Sequence, residues 1–213
     1  LLQIDFNSLT FVATDAHKLV KYTFGGVNTD QNASLILPKK GLGLLKASIS
    51  PSDTVEMAFD KKNVFFSFDQ TTIVCRLIDA KYPDYNAVIP LENPNVLRLP
   101  RTDFMNSLKR INIFANKTTN QAILNLSEGS LTLSSQDLDF SNEATEQMSC
   151  EYSGDTISIG FNAKFLSEML NVMDNKEIEL HMSTPNRAGI LVPSEQEEGE
   201  ELLMLVMPVM TSH

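Results

Sequence analysis

The 213-residue chain repeats itself. Ser8-Leu9-Thr10 returns as Ser130-Leu131-Thr132 and Asp15 returns as Asp137, both at an offset of 122 residues. Val55-x-Met57-x-Phe59 returns as Ile178-x-Leu180-x-Met182 at 123, and the helix expected after Pro38 returns as one expected after Asn162 at 124. A steady offset between halves of low identity marks two copies of one structural unit, each of which must bury its own apolar face. The alternation of short strands with helical stretches makes the class α+β: repeated domains of antiparallel strands, with two helices per complete domain. The boundary is placed between residues 91 and 92, giving domains 1–91 and 92–213. The second copy opens with a strand and a helix, Val96 to Asn116, that the first lacks. The repeat therefore predicts about 35 further residues ahead of Leu1. A first residue that is not Met agrees with the reading of the chain as a piece.

Within each copy the hydrophobic periods assign the elements. Leu2, Ile4 and Phe6 alternate with polar residues, and Leu9–Ala13 and Val20–Phe24 are extended on either side of Thr14–Leu19. Pro38 opens a helix with Leu42, Leu45 and Ile49 on one face. Val55–Phe59 and Val64–Phe68 form a hairpin around Asp60–Asn63, and Thr72–Ile78 is a further strand. In the second copy, Thr102 is the expected cap of a helix with Phe104, Leu108, Ile111 and Ala115 along one stripe. Ala122–Leu126 and Ser130–Ser134 pair around Glu128-Gly129, and Glu146–Tyr152 and Thr156–Gly160 are strands. Asn162 caps a helix with Leu166, Met169, Leu170 and Met173 inward, followed by a hairpin of Ile178–Met182 and Gly189–Val192. The apolar segment Leu202–Met210 comes last. An apolar end must be tied down, as the final strand of a sheet, as the wall of a pocket, or as both.

Composition sets the function class. A content of 42% hydrophobic and 21% charged residues is that of a soluble globular chain, with no apolar run long enough to span a membrane and no leader. The expected location is cytoplasmic. Cys75 and Cys150 make neither a disulfide framework nor a metal spacing, and reduced thiols are expected. His17, His181 and His213 have no ligand-like spacing, so no metal and no cofactor is expected. Asp137-x-Asp139 reads as solvated loop carboxylates and the acidic run 195–201 as a solvated turn. Asp15-x-His17 has the spacing of half an acid–base pair, but no serine or cysteine stands in a nucleophile elbow to use it. A small hydrolase built on that pair is the weaker reading, and no catalytic residue is assigned.

Two features remain. The net charge of −10 falls entirely on residues 92–213, which hold 8 Lys/Arg and 18 Asp/Glu, whereas residues 1–91 hold 9 of each. Against that balance, Arg98 to Lys117 carries five Lys/Arg and one acid, Asp103. Arg101, Lys109, Arg110 and Lys117 are therefore candidates for sequence-independent contacts to phosphates. The second feature is a set of apolar loop and terminal residues that includes Leu19, Pro83, Val88, Met207 and Pro208. Methionine at a chain end suits a surface that adapts to several partners.

At these residues the chain resembles a known family. Val12-Ala13-Thr14-Asp15-Ala16-His17-Lys18-Leu19 is similar to the "ATDGHRL" motif of the bacterial DNA polymerase III β subunit, the replication sliding clamp. Tyr82-Pro83-Asp84-Tyr85 with Val88-Ile89-Pro90 is similar to its "FPDY…VLP" connector, Gly160-Phe161-Asn162 to its "GFN", and Val206-Met207-Pro208 to its "VMP". The motifs stand in family order over nearly the whole chain. Ala16 takes the place of the usual glycine, Lys18 and Ala87 of arginines, and Met210–His213 of a short Arg-Leu ending.

The resemblance implies a subunit of three repeated clamp domains, paired head-to-tail as a homodimer ring around double-stranded DNA, with helices lining the DNA-facing side. This chain would supply most of the middle domain and all of the third. It implies a non-catalytic processivity factor, an accessory subunit of a DNA-directed DNA polymerase. Short glutamine- and leucine-containing peptides of polymerase subunits, clamp loader and repair proteins would dock between the middle and third domains. Carried over, the partner-peptide pocket comprises Thr14, Ala16, His17, Lys18, Leu19, Pro83, Val88, Asn162, Phe165, Leu205, Val206, Met207, Pro208 and Val209. The alternative is an interaction scaffold of the same fold with no DNA role. Without a first domain to close the ring, the chain is expected to be a monomer or to associate in a non-native way.

Overall fold

A computed structural model describes residues 1–210. His213 and the Thr211–His213 part of the ending singled out above lie outside the described residues. The chain divides into two compact units, one of Leu1–Val12 with Thr23–Asp84 and the other of Ala13–Tyr22 with Tyr85 onward. The division after Asp84 comes earlier than the expected 91/92 boundary, and the segment Ala13–Tyr22 goes with the second unit.

The first unit holds β1 (Leu2–Asp5), most of β2 (Ser8–Thr14), the end of β3 (Lys18–Gly25), β4 (Ala33–Leu35), α1 (Lys39–Ser48), β5 (Glu56–Phe59), β6 (Asn63–Phe68) and β7 (Thr71–Arg76). The order β3-β2-β1-β4 makes one antiparallel sheet and β5-β6-β7 a second. Their inner faces bury Leu2, Ile4 and Leu35 in one cluster and Val64, Phe66 and Cys75 in another. The Asp60–Asn63 turn is closed by Asp60 Oδ1, which accepts from the backbone N–H groups of Lys62 and Asn63 at 2.7 Å each.

α1 departs from the expected stripe. Leu42 is exposed, Leu45 and Ile49 are half-buried, and Gly41 is the buried residue of the helix. The reason is close approach: a Cβ built on Gly41 would lie 2.3 Å from Cys75 Sγ. The helix touches β7 along its backbone at Gly41, which turns the leucines sideways.

The second unit repeats this plan with additions. β8 (Asn95–Pro100) leads into α2 (Arg101–Ile111); β9 (Gln121–Ser127), β10 (Ser130–Asp137), β11 (Asn142–Ser149), β12 (Glu151–Ser153) and β13 (Ile157–Asn162) follow. α3 (Ala163–Asn171), β14 (Glu177–Met182), β15 (Gly189–Pro193) and β16 (Glu200–Val206) complete it. The order β11-β10-β9-β13 matches β3-β2-β1-β4, and β14-β15-β16 matches β5-β6-β7. β8 extends the second set beside β14, with β12 beyond it, and neither β8 nor α2 has a counterpart earlier in the described chain. The repeat read from the sequence is thus a repeat of topology.

α2 and α3 cover the core between these two sheets. Phe104, Leu108, Ile111 and Ala115 are all buried, as are Leu166, Met169, Leu170 and Met173, so both predicted stripes face inward. Each such large side chain contributes about 1.5–3 kcal/mol by leaving water.

Three local expectations change. Thr102 does not cap α2: Pro100 holds the N-cap position, and the first helical N–H, that of Arg101, donates to Lys176 O at 2.9 Å. The strand runs directly into the helix, and a neighbouring chain segment does the capping. The extended segment Glu146–Tyr152 breaks at Cys150, because β11 pairs with β10 whereas β12 crosses to pair with β8 in the other sheet. Asp137 is buried and not solvated; its Oδ1 accepts from the backbone N–H of Asp139 at 3.1 Å and from Asn116 Nδ2 at 3.5 Å. Cys75 and Cys150 are free thiols.

Candidate functional site

The turn between β2 and β3 is a self-bonded loop. Asp15 Oδ1 accepts from the backbone N–H groups of His17 (3.0 Å) and Lys18 (2.9 Å), while Thr14 Oγ1 accepts from Ala16 N–H (3.1 Å) and donates to Lys18 O (2.9 Å). Ala16 sits at φ 74°, the left-handed region. Glycine enters that region freely and alanine only at a cost, so the place where the motif usually has glycine is a backbone requirement.

The loop's side chains meet α3. The His17 ring stacks on Phe165, with centroids 5.6 Å apart and planes at 25°. Lys18 Nζ lies 4.2 Å from the Phe165 centroid and 2.9 Å from both Asp15 Oδ2 and Glu168 Oε2. Burial alone would push the Asp15 carboxyl up. The hydrogen bond from the Lys18 ammonium and those from the Lys18 and His17 backbone outweigh it and draw it down to about 2. Burial opposes the Lys18 charge in the same way, and the bonds to Glu168 and Asp15 raise its pKa in spite of it. Asp15 is committed to the loop and to Lys18, which leaves it no part in activating His17. A hydrolase site gains nothing from this geometry.

The terminal segment closes the same surface. After β16, Met207 N–H donates to His17 O at 2.9 Å. Pro208 then bridges Phe161, Val209 N–H donates to Gly160 O at 2.8 Å, and Gln121 Nε2 donates to Val209 O at 3.3 Å. The chain therefore leaves one sheet of its unit and finishes against β13 of the other. Met207 is 42% exposed, whereas Leu205 and Val206 are buried. Val206 belongs to the main core.

The structure brings Thr14, Ala16, His17, Lys18, Phe165 and Met207 onto one surface of the second unit. Leu19 and Leu205 lie beneath the accessible surface, Pro208 and Val209 are half-buried, and Val88 is exposed in a 3-10 turn, Tyr85–Val88. Asn162 is a helix cap: its Oδ1 accepts from Lys164 N–H (3.0 Å) and Phe165 N–H (3.2 Å), and its Nδ2 donates to Thr119 O. It serves the surface by fixing Phe165. Pro83 belongs to the first unit.

The basic candidates separate by what holds them. Arg101 Nε donates to Asn175 O and Nη1 to Leu170 O, both at 2.9 Å, so its guanidinium caps the C-terminal end of α3. Arg110 pairs with Glu146, Nε to Oε2 at 3.0 Å with a second contact from Nη2, and Ser107 Oγ also donates to that carboxylate. The pair raises the Arg110 pKa and lowers that of Glu146. Lys117 Nζ donates to Ile113 O at 2.9 Å. Among the described residues, only Lys109 of the four is exposed with no such partner. Sequence reasoning passed over α1, where Lys39, Lys40 and Lys46 are exposed and no carboxylate accompanies them. Three lysines in ten residues without an acid was the available signal.

A duplicated α+β unit with basic helices and a terminal segment folded against the β2–β3 loop defines a clamp-type architecture. The family model for the DNA polymerase III beta subunit central domain matches residues 1–84, and that for its C-terminal domain matches residues 86–208. The chain belongs to the DNA polymerase III beta subunit family. Beta sliding clamps of Treponema pallidum and Pseudomonas putida are each 27% identical, covering 99% and 98% of this chain and 57% and 56% of their own length. The Thermotoga maritima DNA polymerase III beta subunit structure is 25% identical with a TM-score of 0.89, over 99% of this chain and 57% of that one. A Pseudomonas aeruginosa sliding clamp bound to griselimycin, 24% identical with a TM-score of 0.92 over 99% of this chain and 56% of that one, shares the fold. The chain thus spans a little over half the length of these relatives.

Proposed function

We propose that this chain is the middle and C-terminal part of a sliding clamp. The complete protein is a non-catalytic processivity factor that forms a head-to-tail homodimer ring around duplex DNA in the cytoplasm. It keeps a replicative polymerase on its template by topology, with phosphate contacts weak enough to permit sliding. The observation that carries the reading is the match of two consecutive domain models of one family, in order, over almost the whole chain.

The exposed basic helices support the DNA-facing role, with Lys109 and the α1 lysines as cations without an ion-pair partner among the described residues and Arg110 partly neutralised by Glu146. Short glutamine- and leucine-containing peptides of polymerase subunits, clamp loader and repair proteins dock on the surface of His17, Lys18, Phe165 and Met207. The remaining residues of the fourteen-residue pocket act as its support and surroundings. Titrating such a peptide against a His17→Ala/Met207→Ala double variant tests the assignment. Exposed apolar anchors in a peptide site carry about 1–2 kcal/mol or more each, so affinity should fall at least about tenfold. An unchanged affinity rejects the site, and a peptide that binds while the full-length ring fails to stay on circular DNA would leave only the scaffold role.

A further inference from the structure

The second unit carries a groove that the proposed peptide surface does not use. It has a volume of about 1090 Å³ and lies at the C-terminal end of α3, where Val172–Glu177, Ser194–Glu200 and the strands β3 and β16 converge. α3 has nine residues, so this end lies roughly 13 Å along the helix from the Asn162 cap and roughly 9 Å from Phe165. Met173 and Met204 are buried at its base, Val20 and Leu202 are half-buried, and Val172 is 66% exposed at its lip. Apolar surface of this kind is left open to water at the end of an otherwise well-covered helix.

The rim is of one sign. Asp174, Glu177, Glu195, Glu197 and Glu200 line the groove against a single cation, Lys176. Among the described residues none of these five carboxylates enters an ion pair. Glu200 is held in place by Tyr22, whose phenol is pushed up to about 12 by burial together with the hydrogen bond and charge of Glu200. That phenol stays protonated and donates a hydrogen bond to the carboxylate, so the negative charge of Glu200 stays on the groove wall. Arg101 takes Leu170 O in the last turn of α3 and Asn175 O beyond it. The groove offers a partner apolar side chains on its floor and carboxylates around them.

From this geometry we infer that the groove docks a partner protein's peptide segment that alternates basic and apolar residues, the apolar ones seated between Val172 and Leu202 and the basic ones paired to the glutamate rim. Opposite charge raises the encounter rate and selects the partner, while the apolar floor supplies the anchor. Acidic peptides and nucleic acid are repelled by the same field.

Fluorescence anisotropy with a labelled peptide of alternating lysine and leucine tests this. A lysine–serine and a glutamate–leucine peptide serve as comparisons. The lysine–leucine peptide should bind saturably and the other two should not. Binding should weaken about tenfold or more in Glu195→Gln/Glu197→Gln/Glu200→Gln and again in Val172→Ser, and hold in Met207→Ala. Circular dichroism confirms that the variants fold; Val172 is exposed enough for serine to be tolerated. Equal binding of the lysine–serine peptide, unchanged affinity in the variants, or no saturable binding each overturns the proposal. Loss on Met207→Ala would assign the peptide to the other surface and overturn it as well.

Discussion

Met207 donates its backbone N–H to the carbonyl of His17 at 2.9 Å. One hydrogen bond thus fixes the end of the chain to the tip of the β2–β3 loop, nearly two hundred residues away in sequence. It leaves both side chains, the His17 ring on Phe165 and the thioether of Met207, on the accessible side. The terminal segment is therefore a strand up to Val206 and a surface element beyond it. Because the tie is made by backbone atoms, side-chain substitutions at either residue probe binding with little effect on the attachment.

The strained residue of that loop is Ala16, at φ 74°. Ala16→Gly should stabilise the chain by about 1 kcal/mol, because glycine reaches the left-handed region without the Cβ clash that alanine carries, less the entropy glycine adds to the unfolded state. A urea midpoint that rises without a change of slope would show it. A fall would mean that the loop hydrogen bonds of Thr14 and Asp15 already cancel the strain.

Leu19 and Met207 separate support from contact. Leu19 is 2% exposed, so Leu19→Ala should cost about 2–5 kcal/mol of stability through lost burial and a cavity. Met207, at 42% exposed, should cost no more than about 0.5 kcal/mol on truncation while weakening peptide binding. Thermal unfolding of the two variants, measured beside peptide titration, checks the split. A test that combined both substitutions would confuse misfolding with lost contact.

Asp15 sets a pH window. Its folded carboxyl lies at about 2, below the ordinary 3.8, so its contribution to stability is complete above 3.8 and is lost as pH falls through about 2. Asp15→Asn should be less stable than the parent at neutral pH, and the gap should close as the pH is lowered across that window. Denaturation midpoints taken through the acid range measure it. A gap of constant size from neutral pH to below 2 would show that the Asp15–Lys18 contact carries none of the effect.

Features with a local cause were legible in the sequence. The stripes Phe104-Leu108-Ile111-Ala115 and Leu166-Met169-Leu170-Met173 follow from helical period, and the turns at Asp60–Asn63 and Glu128-Gly129 from residues that close them. What depended on distant partners was not legible. Arg101 reads as a surface cation until Leu170 and Asn175 offer it carbonyls from about seventy residues away. Asp137 reads as solvated until Asn116 and the Asp139 amide enclose it. Cys150 ends a strand only because β12 finds β8. In α1 the helix was right and its inward face misplaced, since Gly41 at the contact lets the backbone approach β7 while Leu42 stays in solvent.

On the proposed DNA-facing role, Glu146 decides how much of the α2 charge is available to phosphate. Arg110 gives its guanidinium to that carboxylate, whereas Lys109 beside it is exposed without a partner among the described residues. Each phosphate contact contributes a slope of about −0.9 in log affinity against log salt. On the proposed DNA-facing role, Lys109→Ala in the full-length ring should reduce the steepness of that dependence by roughly one unit on duplex DNA. Arg110→Ala should reduce it by less, because a paired arginine must first give up Glu146. Glu146→Gln removes the competitor, so it should strengthen binding and steepen the slope, and Arg110→Ala placed on top should abolish that gain. Binding to duplex DNA over a salt series reads all four proteins. A slope indifferent to every substitution would mean that this face of α2 does not meet phosphate, and equal losses for Lys109→Ala and Arg110→Ala would mean that the ion pair opens at no cost.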